Sequence, residues 1–270
     1  MVIFKMLIID AHVHLTRNSN TIPFIRYTPT ELLKDMNING VGKAIVCPNI
    51  NPYSTKIENV KRENDWIAEC IKKNPERLIG FGLTTHSTGK KMGAQEVERC
   101  IEKLEMKGII LTRTEILPIG YYVDYLAKIF EKCIELNVPI LMNCNRPGWN
   151  GEDITFIAQQ FPKTTVIMGS MGGHNWEQFG VVETASKTTN IIFDLSDCYF
   201  NPVAITRAIR IMGKKNVIWG SREPYNSQSA SLKELQLSKL KRWNTPLKPV
   251  TQEELELVAG KNIARILGIK

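Results

Sequence analysis

Eight short apolar runs, separated by amphipathic stretches, constrain this chain of 270 residues more than any other feature. The runs lie at 6–9, 43–46, 78–83, 108–111, 139–142, 165–168, 191–195 and 217–219. Several are rich in Ile and Val and do not alternate with polar residues, which is how strands buried on both faces of a parallel sheet read. Helical patterns fill the gaps. One begins at Thr30, read as its N-cap, and others cover 58–73, 95–106, 122–136, 153–161, 176–186 and 202–212. In the 95–106 stretch Val97, Ile101 and Leu104 share a face, with Gly108 just beyond its end. Alternation at this spacing argues βαβ units. Eight units favour a closed (β/α)8 TIM barrel over an open doubly wound sheet, and no GxGxxG follows the first run. A last helix at 252–267 is expected to close the barrel, and residues 1–270 are expected to form one domain.

Composition narrows the function classes. With 43% hydrophobic and 23% charged residues the chain is ordinary globular material, long enough for one barrel. The first apolar stretch is too short and interrupted for a membrane helix and has no small-residue cleavage site, so a buried strand ended by Asp10 explains it better. The formal charge of +8 could suit an anionic partner, but Lys and Arg are interleaved with Asp and Glu. The densest basic stretch, 233–248, reads as a solvated helix and loop, so neither a nucleic-acid nor a membrane partner is expected. Six cysteines form no CxxC pair, which points to reduced thiols and a cytoplasmic protein, with Cys70, Cys100 and Cys133 as helix packing residues. The expected partner is a small molecule, and homo-oligomerisation stays open.

In such barrels the active site stands at the C-terminal ends of the strands. The sequence Asp-Ala-His-Val-His-Leu at 10–15 places His12 and His14 on one side of the first strand. Two imidazoles so placed can share a divalent metal, or they can simply be hydrogen-bonded to each other. Around this motif the chain resembles the amidohydrolase superfamily, in the branch called amidohydrolase-related or amidohydrolase 2. That branch includes aminocarboxymuconate-semialdehyde decarboxylase, 4-oxalomesaconate hydratase and 2-pyrone-4,6-dicarboxylate lactonase. The resemblance extends through 74–81, Met171-Gly172-Gly173, Gly220-Ser221 with Pro224, and the segment 260–268.

The resemblance implies a (β/α)8 barrel of the metal-dependent hydrolase type, with further metal-site residues that this chain lacks. A histidine is expected after the run 139–142, where Asn143 stands; another before Met-Gly-Gly, where Ser170 stands; and an aspartate after Gly-Ser, where Arg222 stands. The run 108–112 supplies no lysine for a carbamylated ligand. An inward Arg222 would oppose a divalent ion by several kcal/mol, since two unit charges about 4 Å apart interact by about 4 kcal/mol at an effective dielectric near 20. The cofactor expectation is therefore none, or a single zinc on His12 and His14. A rewired site could add a thiolate from Cys47, Cys144 or Cys198, which could equally be small buried fillers, with His86 and His174 also near the mouth.

Arg113, Arg146 and Arg222 could clamp a carboxylate or phosphate, although Arg113 and Arg146 could instead pair with Glu115, Glu152 or Asp153. Asn143 and Ser170 are expected to bind substrate, and Ser196, Asp197 and Tyr199 to orient it. Trp149 and Trp176 either line the pocket or pack. Two main readings follow. The first is a hydrolase or decarboxylase of a small carboxylated, amide or lactone compound, in which His12 and His14 polarise a carbonyl and Glu223, or secondly Asp197, activates water. The alternative is a catalytically inactive pseudo-enzyme that binds a ligand or acts as a scaffold. A weaker third makes Cys144 a nucleophile. The positions of Arg222 and Glu223 relative to the histidines discriminate the first two.

Overall fold

Runs that are apolar on both faces become one parallel sheet with side chains buried inside and outside. The structure, a computed structural model, describes residues 6–17, 26–49, 56–85, 90–112, 119–144, 149–173, 177–197, 201–241 and 245–269. Its strands are β1 (Ile9–Leu15), β2 (Lys43–Pro48), β3 (Leu78–Thr85), β4 (Gly108–Thr112), β5 (Ile140–Met142), β6 (Val166–Met168), β7 (Ile191–Asp194) and β8 (Val217–Ile218). They pair in sequence order, each parallel to the next. Between them lie α1 (Pro29–Asn39), α2 (Ile57–Lys73), α3 (Lys90–Glu98), α4 (Ile119–Glu135), α5 (Gly151–Gln160), α6 (Glu177–Ala185) and α7 (Pro202–Met212). After β8 come α8 (Gln228–Leu237), α9 (Gln252–Glu256) and α10 (Asn262–Leu267). The expected (β/α)8 TIM barrel is what forms. No helix among the described residues is long and apolar enough to cross a membrane.

Alternate strand residues explain the double burial. Ile45, Ile79, Phe81, Ile110, Leu141, Ile167, Ile192 and Ile218 fill the lumen as one cluster. Their neighbours Val46, Ile109, Ile140, Val166, Phe193 and Val217 pack outward in a second cluster with helix residues such as Ile67, Leu126 and Ile209. Burying one such side chain contributes about 1.5–3 kcal/mol. At the bottom of the barrel Ile263 and Ala264 of α10 join the lumen cluster beside Ile9. Asn262 anchors this plug, its Nδ2 donating to Val217 O (2.7 Å) and Lys214 O (2.8 Å).

The first strand departs from a regular ladder. Ile9 and Asp10 pair with Lys43 and Ala44, but Val13 and His14 pair with Val46 and Cys47. Three residue steps on β1 thus oppose two on β2, which is a β-bulge. Before it, Ile9 and Ala11 face the lumen. After it, Val13 and Leu15 face outward into the helix layer. The bulge therefore turns His12 and His14 inward. The same stretch closes the barrel: Ala11 N donates to Trp219 O (3.1 Å), Arg222 N to His12 O (2.7 Å) and His14 N to Glu223 O (2.8 Å).

Several boundaries differ from the sequence expectations. Asp10 does not end a strand but lies fully buried within one, because its oxygens accept from Ser221 N (2.8 Å) and Gln228 Nε2 (2.8 Å). Thr28 rather than Thr30 caps α1, since Pro29 occupies the first helical position and Glu31 completes the capping box. The third helix begins at Lys90 and gives way to a π turn at Arg99–Lys103. The final helix is divided by another π turn, Leu257–Lys261, where Gly260 meets the start of β1.

Gly260 has no room for a side chain: a Cβ there would sit 2.3 Å from Leu7 O, a backbone atom that cannot step aside. Gly260→Ala is expected to lower stability by about 1–3 kcal/mol, read as a lower denaturant midpoint; an unchanged midpoint would contradict this account of the barrel floor.

Candidate active site

At the upper end of the lumen the two first-strand histidines stand side by side, both buried. Their Nε2 atoms face each other at 3.0 Å. The Nδ1 of His12 lies 2.7 Å from Asp194 Oδ2, at the last residue of β7. A carboxylate accepts, so this nitrogen carries the hydrogen and Nε2 is the atom turned towards His14. Asp194 is itself held by Ser196, whose Oγ donates to Oδ2 (2.6 Å) and whose N donates to Oδ1 (3.0 Å). Ser196 Oγ also accepts from Ser170 N (3.0 Å), which links β7 to the turn after β6. The line Asp194, His12, His14 is the centre of the site.

Gly220 makes this packing possible. A Cβ on it would lie 2.7 Å from both Asp194 Oδ1 and His12 Cβ. Beyond β8 stands Arg222, which is buried and ion-paired through Nη1 with Asp197 Oδ2. Its Cζ lies over the Tyr225 ring at 5.0 Å, and that ring meets His14 edge-on at 5.7 Å. Tyr225 OH donates to Asn49 Oδ1 (2.8 Å), which fixes the ring. Both members of the ion pair adopt left-handed backbone, with φ of 59° at Asp197 and 61° at Arg222. Such non-glycine residues cost of order 1–3 kcal/mol each and cluster at functional sites.

Burial is the main force on the titrating groups. It holds His14 well below the ordinary histidine range, and the nearby His12 and Arg222 charges act in the same direction. His14 is therefore neutral at neutral pH. The Cys47 thiol lies 3.3 Å from His14 Nδ1 and donates to Val13 O (3.2 Å); burial pushes its pKa up, so it is a thiol rather than a thiolate.

The sequence-predicted residues divide into groups. His12, His14, Asn143 and Ser170 come together: Asn143 Nδ2 is 3.5 Å from His14 Nε2, and Ser170 Oγ donates to Asn143 Oδ1 (2.8 Å). Arg222 lies beside them but on Asp197. Glu223 does not face the histidines. Its side chain accepts from Gln228 N (2.7 Å) at the start of α8, while only its backbone carbonyl reaches His14. The reason is its place in the seam, where the backbone pairs with β1 and the side chain is turned to the outer side. Trp149 packs in the outer cluster, as does Cys144, which argues against a nucleophilic role for that thiol. Arg113, Arg146, His86, His174, Trp176, Cys198 and Tyr199 lie outside the described residues. Sequence reading missed Asp194 as a site residue. Its signal was an acidic residue within the otherwise apolar run 191–195, where burial demands a partner.

A divalent ion does not fit the described residues. A catalytic metal site normally has three protein ligands and an open position. Here two imidazole nitrogens are available, and the third neighbour presents an amide N–H rather than an acceptor. Cys47 faces the far nitrogen of His14, so it cannot share an ion lodged between the two Nε2 atoms. Among the described residues no group of three or more His, Cys, Asp or Glu side chains could hold a metal.

Comparison with known proteins places this geometry in a family context. The sequence profile of the amidohydrolase family matches residues 9–269. The structure of 5-carboxyvanillate decarboxylase from Sphingomonas paucimobilis superposes with a TM-score of 0.74 at 17% identity, covering 98% of this chain and 100% of that one. For 2,6-dihydroxybenzoate decarboxylase from Rhizobium the TM-score is 0.75 at 14% identity, with coverage of 97% and 99%. A dihydroxybenzoic acid decarboxylase from Polaromonas, with bound manganese and the inhibitor 2-nitroresorcinol, gives 0.73 at 15% identity, with coverage of 97% and 97%. At these identities the likeness is one of fold.

Glu223 offers a test of the seam. Burial, with the Asp10 and Asp35 carboxyls nearby, pushes its pKa up to about 7 from the usual 4.5, against the pull of Gln228 N–H. The folded state thus favours the neutral acid, and stability is lost as pH rises from about 4.5 through about 7. Glu223→Gln should remove that loss, so thermal unfolding midpoints of the variant and the parent should diverge over this window in favour of the variant. Parallel pH profiles would show that the carboxyl is not buried in this way.

Proposed function

The chain belongs to the amidohydrolase family, and from that premise we propose that it is a hydrolase or decarboxylase of a small molecule that uses an imidazole proton relay in place of a catalytic metal. The observation that carries the proposal is the line Asp194, His12, His14, with contacts of 2.7 and 3.0 Å. Asp194 fixes His12 with Nδ1–H towards the carboxylate, so His12 takes up or gives a proton at Nε2. The two Nε2 atoms cannot both present lone pairs at 3.0 Å without repulsion, so one proton is held between them. Asp194 orients the His12 ring so that its Nε2 shares that proton with neutral His14.

Such a pair delivers a proton to a leaving oxygen or nitrogen in hydrolysis, or to the ring carbon that loses its carboxylate in decarboxylation. Asn143 Nδ2 points to the same place and can donate to a developing oxyanion. The small-molecule ligand matches the fold relatives, which act on carboxylated aromatics or bind an aromatic inhibitor by their descriptions. Those relatives include a manganese protein, but among the described residues the donors around the two histidines support acid–base work better than metal ligation.

A second reading, a pseudo-enzyme that only binds a ligand, is favoured by the positions of Arg222 and Glu223: the first lies beside the histidines in its buried pair with Asp197, and the carboxyl of the second is turned away from them. The two readings separate in one experiment. Chelator-treated protein is assayed against a panel of lactones, amides and hydroxybenzoates. His12→Ala and Asp194→Asn are expected to lower kcat/KM by about 10²–10⁴-fold, with the chelator having no effect. Activity that vanishes with chelator and returns with manganese or zinc would overturn the relay, and absence of turnover across the panel would favour the second reading.

A further inference from the structure

Arg222 is 7% exposed, yet its Nε has no hydrogen-bond partner among the described residues. Leaving a buried N–H of a charged group unmet costs about 1–3 kcal/mol or more, and such exceptions ask for a reason. One nitrogen and one face of the guanidinium are accounted for. Nη1 is bound to Asp197, and the flat face lies over Tyr225. By covalent geometry the remaining in-plane edge carries Nε–H and an Nη2–H side by side, the arrangement that receives two coplanar oxygens. Arg222 N donates to His12 O, and the Tyr225 ring beneath the guanidinium is edge-on to His14, so the edge belongs to the mouth of the relay.

We infer that the side-on edge of Arg222 is the anchor for one carboxylate of the ligand, which places the rest of that molecule against His12 and His14. Part of this inference rests on the reading above, namely that the carboxylate belongs to a substrate. A carboxylate matches the edge because its two oxygens lie in one plane, about as far apart as the two N–H donors. Asp197 sets the charge. It already neutralises Arg222, so a monoanion is held by hydrogen bonds to a net-neutral pair, whereas a dianion meets the Asp197 carboxylate as repulsion. The site therefore prefers a monocarboxylate to a phosphate. The tight seat also separates Arg from Lys, since an ammonium offers no parallel donor pair.

The experiment is a titration of benzoate, and separately of inorganic phosphate, into the full chain, followed by calorimetry or amide NMR shifts without any turnover. Benzoate should bind more tightly than phosphate. Arg222→Lys and Arg222→Gln should each weaken benzoate by about tenfold or more. Where Arg222→Gln alone fails to fold because the buried Asp197 loses its guanidinium, the double variant Arg222→Gln/Asp197→Asn removes both charges and carries the same expectation. Benzoate affinity unchanged in these variants, or phosphate binding as tightly as benzoate, overturns the inference. Turnover that depends on His12 with no Arg222-dependent benzoate binding would sink the inference and spare the relay. Arg222-dependent binding without turnover would do the reverse.

Discussion

One additional residue in β1 decides where the two histidines stand. The register slip between Asp10 and Val13 exchanges the faces of the strand, so that Ile9 and Ala11 belong to the lumen below while His12 and His14 occupy it above. A regular strand would have sent both imidazoles into the helix layer, which Val13 and Leu15 now fill. The bulged stretch is also the barrel seam. Its carbonyl and amide groups at His12 and His14 bond to Arg222 and Glu223, and this fixes the backbone of Arg222, a buried cation beside the site. Geometry of the relay, closure of the barrel and placement of Arg222 are thus one event.

The charge arrangement follows from that placement. A guanidinium in the lumen wall has to be neutralised, and Asp197 does so from the neighbouring strand end. Both residues accept left-handed backbone to meet. With the positive charge supplied by a side chain, the neighbouring positions hold groups that donate or relay hydrogens, namely Asn143, Ser170 and Ser196, instead of metal ligands. These groups are mutually consistent, since each hydrogen-bonds to another member of the same cluster.

The barrel was legible in the sequence because both faces of each strand are apolar, so the runs are continuous and easily counted. Closing residues such as Asn262 and Ile263 were legible as a segment, though not as a plug. The site was legible only in part. His12 and His14 stand out by spacing, but a bulge leaves no trace in a hydrophobic pattern that is apolar on both faces. Asp194 was hidden inside a strand run, and its role depends on a histidine 182 residues away. Glu223 looked suitable by position, yet its direction was set by backbone pairing to β1, which no local pattern encodes.

The seam also has a temporal meaning. The first strand can find its last partner only when residues near 219–223 have been made, because those are the ones that hydrogen-bond to 11–14. Until then the bulged strand has one open edge, and a nascent chain carries both imidazoles and Asp194 without the guanidinium of Arg222 that will stand beside them. Contacts of such long sequence separation are slow to form and leave edges exposed to mispairing. The candidate site therefore gains its Arg222 flank only when the seam closes, after seven of the eight strands have been made.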